Sequence, residues 1–345
     1  MYSRLPDLAI RHCLALCLVL VGAALAGAYF HDAGYLKMAA PFMAWASLLL
    51  IVTASLIGLL RALPNLSKDR SALQHWPALA RRQFRDPLFW TDYVAPTGIV
   101  ALLLFLFAAL KQLIPVLHPY YADLTLMHLD RALHGGVLPH EYLMQWMGPG
   151  LLFVLDLIYP TLFPVCLIFF IFMARQKQLP AARYAFMVGF CLCWLVIGLG
   201  GGIAFSSMGP CYFHIAVPGN TTYTPLMNWI SSNNALILRH GDQNALTSPI
   251  MQQYLLLLFK HHQPGFGAGI SAMPSVHAAI PTLMVWAGFQ RHRWLGIFSL
   301  TYLILIMLAT VALGWHYAVD LYAAVFVTTL LWFSLYHYAA KRLRP

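Results

Sequence analysis

Long apolar runs, separated by short polar or basic stretches, set the pattern of this chain. They fall near residues 13–30, 38–60, 91–113, 149–174, 184–206, 275–289, 295–314 and 316–337. A helix needs roughly 20 apolar residues to cross the ~30 Å hydrocarbon layer of a bilayer. Only structures that satisfy their own backbone hydrogen bonds can cross it. The pattern therefore predicts an all-α, polytopic membrane protein with about eight transmembrane helices. The run at 275–289 is short, and its helix has room to start before Ser275.

Composition closes off the alternatives. The chain is 61% hydrophobic and 9% charged, against ~45–50% and ~25% in soluble globular domains. So few charges cannot cover a water-soluble surface. The formal net charge of +10 raises the question of nucleic acid, and the positions of the basic residues answer it. Arg4, Arg11, Arg61, Lys68, Arg70, Arg81, Arg82, Arg85, Arg175, Lys177, Arg183, Arg291, Arg293, Lys341, Arg342 and Arg344 fall on one side of the predicted membrane. Only Lys37, Lys111, Arg131, Arg239 and Lys260 fall on the other. This asymmetry predicts cytoplasmic termini, by the positive-inside rule, in a plasma or inner membrane. The charge then serves topology and anionic lipid, and no nucleic-acid partner is expected. Arg4 and Arg11, the apolar run 13–25 and the triplet Ala26-Gly27-Ala28 also fit a cleaved signal peptide. Cleavage would leave seven spans and the facing of every later loop unchanged.

Two outer connections, 114–147 and 207–274, are long, and function concentrates in loops held by a rigid scaffold. They carry His118, His128, His134, His140, His214, His240, His261 and His262, with no HxxxH or HExxH spacing, so no metal is expected. Cys13, Cys17, Cys166, Cys191 and Cys193 lie inside spans and Cys211 on the outer side. That distribution implies no disulfide and reads as small apolar packing.

The chemistry-bearing residues cluster near the C-terminus. Ser271-Ala272-Met273-Pro274-Ser275-Val276-His277 opens the sixth span, and Gly314-Trp315-His316-Tyr317-Ala318-Val319-Asp320 opens the eighth. Ionisable groups at the edge of hydrocarbon are costly and mark function. His316 and Asp320 are four apart, so a helix puts them on one face. A carboxylate there accepts the proton of one imidazole nitrogen and leaves the other as a nucleophile. Pro274 suits a helix start, where backbone donors and the Ser275 hydroxyl would face an anion. His277 is a second imidazole, able to give or take a proton.

At these residues the sequence resembles a known family. Pro274-Ser275-Val276-His277 is similar to the PSxH motif of the type 2 phosphatidic acid phosphatase superfamily. His316 to Asp320 is similar to its HxxxD motif, in the HYxxDL form of the inositol phosphorylceramide synthase branch. Asp130-Arg131-Ala132-Leu133-His134-Gly135-Gly136 resembles the short re-entrant stretch of that branch, and residues 159–164 resemble its aromatic, proline-rich fourth span. Gly209-Pro210 stands where the superfamily's first motif would lie. The resemblance implies a six-helix catalytic membrane domain over residues 89–340. Residues 1–88, with two further helices and a basic cytoplasmic loop, are added before it. It also implies roles: His316 as the nucleophile that becomes a phosphohistidine, Asp320 as its orienting partner, His277 as acid and base, and Ser275 as a phosphate ligand.

The departures carry information too. Phosphatases of the superfamily have a Lys and an Arg-Pro upstream and a Ser-Arg pair before the last His; this chain has Gly209-Pro210 and Ala309-Thr310. A phosphomonoester dianion needs such cations more than a diester with one charge does. The expected function is thus a lipid phosphotransferase on the outer face. It would pass a phospho-headgroup from a phospholipid donor to a lipid alcohol acceptor, without metal or organic cofactor. Arg239, Lys260 or Arg131 would supply a replacement cation. The alternatives are a lipid phosphate or polyprenyl pyrophosphate phosphatase using the same residues, and a non-catalytic transporter or scaffold. Asp156 reads as a packed polar group or a cavity-lining one, Asp92 as a boundary residue, and Asn220-Thr221-Thr222 as a glycosylation sequon.

Overall fold

The computed structural model describes residues 6–30, 85, 89–239, 245–263, 265 and 267–343. The predicted span at 38–60 and most of the basic stretch after it lie outside them. The described residues are helical, with no strand among them. Among the described residues six helices are long and apolar enough to cross a membrane, which makes this an integral, multi-pass protein. Helix α1 covers Pro6–Phe30 and α2 covers Ala95–Lys111. Helices α3 (Asp123–Leu133) and α4 (Pro139–Trp146) are short, and α5 (Pro149–Ile158) runs through one tight turn into α6 (Leu162–Ala174). Then follow α7 (Pro180–Leu192), α8 (Thr224–Arg239) and α9 (Thr247–Lys260). The chain closes with α10 (Val276–Arg291), α11 (Arg293–Ala312) and α12 (Ala318–Arg342).

Helices α1, α2, α6, α7, α10 and α12 share one apolar core, built around Phe170, Phe186, Phe190 and Trp332. Helix α1 packs against α2 and α7, and α10 packs against α11, α7 and α12. The turn between α10 and α11 is tight because two glycines meet there: a Cβ on Gly288 would stand 3.0 Å from the Gly296 Cα. Small residues at such a crossing let helix backbones touch, the usual means of packing inside a bilayer. At 16 residues, α10 is short for a span. It starts at Ser275, its N-cap, where an irregular stretch from residue 267, turned at Gly267 and Gly269, enters the bundle.

The two stretches expected as long loops are largely helical. They hold α3 and α4 in the first case, and α8 and α9 in the second. These helices are amphipathic, so an average over apolar residues does not reveal them. They form a cap over one end of the bundle, with a separate core that includes Leu126, Leu138, Leu152, Phe213, Tyr223 and Tyr317.

The opposite end carries the basic residues. The Arg175 guanidinium stacks over Tyr93 at 4.8 Å, Lys177 pairs with Asp92 at 2.9 Å, and the Arg291 Nε donates to the Gln176 side chain. Asp92 is thus a boundary residue, half of an ion pair at the helix ends. Asp156 is fully buried. Its carboxylate accepts from the Thr247 and Ser248 backbone N–H groups at 2.6 and 2.9 Å and from the Thr247 hydroxyl at 2.9 Å. It is a packed polar group that fixes the first turn of α9. Asn220 accepts from the Thr222 backbone N–H and hydroxyl, which closes the sequon into a local turn.

Candidate active site

The two C-terminal motifs meet under the cap. Trp315 and His316 lie in the turn between α11 and α12, and both of their N–H groups donate to the Thr310 carbonyl. His316 is 6% exposed and Asp320 fully buried. The spacing predicts both on one helix face, but His316 stands two residues before α12. Asp320, in the first turn, reaches back so that its Oδ2 lies 3.3 Å from the His316 Nδ1. The same oxygen accepts the Tyr317 N–H at 3.1 Å, the N-cap bond of α12. One carboxylate oxygen therefore fixes both the imidazole and the helix that holds it. With Nδ1 turned towards Asp320, Nε2 is the other nitrogen of the His316 ring.

His277 sits in the first turn of α10, its ring centroid 5.5 Å from that of His316. Tyr159, in the turn between α5 and α6, stacks on His277 at 4.7 Å and on Trp315 at 5.5 Å. The Trp315 Nε1 donates to the Ser248 hydroxyl at 3.2 Å. His277 is thus held in a stack of aromatic rings that reaches from α10 to α9. Nothing in the two motifs announces Tyr159.

Ser275 ties the motifs together through the backbone, its N–H donating to the Asp320 carbonyl at 3.2 Å. Its Oγ and the Asp320 Oδ1 are both buried and have no hydrogen-bond partner among the described residues. Buried polar atoms left in that state call for a reason.

Two further carboxylates grip the motifs from the cap, and only one lies in a stretch that the sequence singled out. Asp123 accepts from the Met208 and Gly209 N–H groups at 2.9 Å and from the Tyr317 hydroxyl at 2.7 Å. Asp130 accepts from the Ala318 and Val319 N–H groups at 2.9 and 2.8 Å, the first turn of α12. Burial drives the carboxyls of both residues up from the ordinary range, and these bonds pull them back down. Gly209 has a φ of 92°. A Cβ there would come within 2.7 Å of the Trp315 carbonyl oxygen, so no side chain fits at this position.

A cavity of about 540 Å³ opens in front of the imidazoles. His277, His316, Tyr159, Trp315 and Lys111 line it, with an apolar flank that includes Leu104, Phe107, Phe163 and Leu255. Ser275 lies just behind this wall, between the lining residues Pro274 and Val276. Arg239 is exposed in the last turn of α8 and does not line the cavity. The structure thus brings His277, His316 and Asp320 together, sets Ser275 one layer back and leaves Arg239 apart. Among the described residues no three His, Cys, Asp or Glu side chains gather in a way that could hold a metal ion.

The sequence model of the PAP2 superfamily matches residues 124–334, more than half of the chain. The chain belongs to the PAP2 superfamily. The matched stretch runs from the second residue of α3 into α12; it includes both motifs and Asp130, and Asp123 stands one residue before it. No curated protein and no solved structure matches the chain. Members of the PAP2 superfamily are typically phosphatases or phosphotransferases, and the imidazole pair beside an apolar cavity suits phosphate chemistry on a lipid.

Proposed function

We propose that this PAP2 protein is a membrane lipid phosphotransferase of the inositol phosphorylceramide synthase-like branch. It would move a phospho-headgroup from a phospholipid to a lipid alcohol, in a catalytic domain over residues 89–340. The observation that carries this reading is the imidazole pair, 5.5 Å apart beside one cavity, with Asp320 buried behind His316.

In the first step the His316 Nε2 attacks the donor's phosphorus. The bond from phosphorus to the lipid alkoxide breaks, His277 delivers the proton that makes it an alcohol, and Asp320 stabilises the imidazolium forming on His316. In the second step the acceptor hydroxyl gives its proton to His277 and attacks phosphorus. The P–N bond then breaks, and His316 is returned. The Ser275 Oγ, otherwise without a partner among the described residues, donates to a phosphate oxygen. The apolar flank receives the acyl chains, and the cap limits access of water.

We also assign the site to the outer face, with both termini cytoplasmic. The gathering of Arg175, Lys177, Arg291 and Arg342 at the end of the bundle away from His316 supports this orientation.

Hydrolysis by the same residues is the second reading. The imidazole pair serves it equally, because water can take the acceptor's place beside His277. The two readings separate when purified protein is given a phospholipid labelled in its headgroup phosphate, with and without ceramide or diacylglycerol. Label that moves to a new lipid, and does so only with His316 intact, is the expected result. Label released as water-soluble phosphate regardless of acceptor would establish the hydrolase instead. Unchanged turnover in His316→Ala would sink both.

A further inference from the structure

Lys111 closes α2 at the level of the two motifs, an ammonium at the end of a helix that is otherwise apolar. It lines the cavity together with His277 and His316, and it is close enough for its charge to act on both rings. It is the one lysine or arginine among the lining residues. Among the described residues it forms no ion pair: the acids in pairs are Asp92 and Asp320, bound to Lys177 and His316. A half-buried ammonium without a counter-charge in an apolar cavity is costly, and in membrane proteins it marks the path of a charged ligand. Its backbone is held in place from the motif side. A Cβ on Gly269, at a φ of 90°, would stand 2.9 Å from the Lys111 carbonyl carbon. The segment that leads into Ser271–His277 thus lies directly on the lysine's own main chain.

From this geometry we infer that Lys111 binds the phosphate of the substrate and, as a single cation, matches a phosphodiester carrying one negative charge. This deepens the proposed lipid phosphotransfer and rests on it for the identity of the reacting group. As the one lysine or arginine lining the cavity, the Lys111 ammonium balances the one charge on a diester. A monoester dianion would keep an uncompensated charge among Leu104, Phe107 and Leu255, where the apolar surroundings magnify its cost. The lysine comes from α2, outside the two motifs, so the clamp and the nucleophile belong to different parts of the chain.

Binding and turnover test this separately. Diethyl phosphate, a monoanionic diester without acyl chains, is titrated against the purified full chain and its affinity read by 31P NMR. The expected result is about tenfold weaker binding in Lys111→Met and recovery to within threefold in Lys111→Arg, while Arg239→Ala, away from the cavity, binds as the wild type does. A loss under threefold in Lys111→Met, or an Arg variant that binds no better than the Met variant, overturns the inference. The turnover of labelled phospholipid is measured on the same samples. Its kcat/KM is expected to fall about 100-fold in Lys111→Met and to rise again in Lys111→Arg. Equal turnover by wild type and His316→Ala would end the functional reading and leave the binding result standing on its own.

Discussion

The Tyr317 hydroxyl donates to the Asp123 carboxylate at 2.7 Å, across 194 residues of chain and one residue after His316. The same carboxylate holds the Met208 and Gly209 N–H groups. One acid of the cap therefore fixes both the turn that presents His316 and the loop packed against Trp315. A hydrogen bond from a hydroxyl to a buried carboxylate contributes about 1.5–3 kcal/mol. Tyr317→Phe keeps the ring in the cap core and removes only this bond. We expect a loss of stability of about 2 kcal/mol in denaturant unfolding, and a drop in kcat larger than any change in KM. An unchanged kcat would show that the turn holds its shape without Asp123.

Asp320 fixes His316 through the i, i+4 contact at 3.3 Å. In Asp320→Asn the carboxamide can donate to the Nδ1, which favours the tautomer with its proton on Nε2, the wrong one for attack. By analogy with acids that orient histidines in other triads, the rate should fall about 10³–10⁴-fold. Because the same oxygen position also accepts the Tyr317 N–H, an amide turned to donate to Nδ1 gives up the cap bond of α12. Stability should then fall by about 1 kcal/mol, far less than the loss in rate. The comparison of rate against melting temperature checks this. Parallel losses would mean that Asp320 acts through the fold.

Ser275 and Arg239 make a contrasting pair. The Ser275 Oγ is buried without a partner among the described residues, so Ser275→Ala removes a polar group that stabilises nothing in the free protein. Its unfolding midpoint should stay level or rise, while kcat/KM falls about tenfold from the loss of one phosphate hydrogen bond. Arg239→Ala, at an exposed position away from the cavity, should leave kcat/KM within twofold. A larger effect would place Arg239 in the phosphate site after all.

His140 links the cap to pH. It is 3% exposed, packed on the Tyr223 ring at 4.8 Å. Burial, assisted by the charge of Arg131, pushes its imidazole down from 6.5 to about 4. The unfolded chain takes up a proton near pH 6.5, and the folded cap does not until about pH 4. Stability is therefore complete above pH 6.5 and lost as pH falls through that window, by about 3 kcal/mol in all. Hydrogen exchange of α4 and α8 between pH 7 and pH 4 should report this loosening, and His140→Phe should abolish the slope. A flat profile in wild type would rule His140 out as its source.

The bundle was legible because membrane spans leave a strong signal: long apolar runs separated by basic residues. The meeting of His277, His316 and Asp320 was legible for a related reason, since the two motifs open helices at the same end of the bundle. The cap was not. Helix α3, with Asp123, His128, Asp130 and Arg131 among its leucines, is polar enough to read as a loop. Only its packing on α12 gives it order. Lys111 looked like one outer basic residue among five, because the approach of Gly269 to its backbone depends on tertiary structure. Tyr159 had no periodic signal at all, and its value lies in the rings that stack on it from α10 and from the turn before α12.

The grip of α3 on α12 also constrains how the protein is made. The Asp130 carboxylate and the Ala318 N–H it accepts are 188 residues apart, so translation produces the acid long before its partner. Until the last helix emerges, Asp130 has no backbone donor to hold and Asp123 lacks the Tyr317 hydroxyl. During that interval Asp123 can already hold the Met208 and Gly209 N–H groups, while Asp130 waits for α12. Full closure of the cap therefore requires the last helix. A ribosome stalled before residue 317 would carry a cap fastened at one end, and Asp130 would be open to reagents that the finished protein excludes.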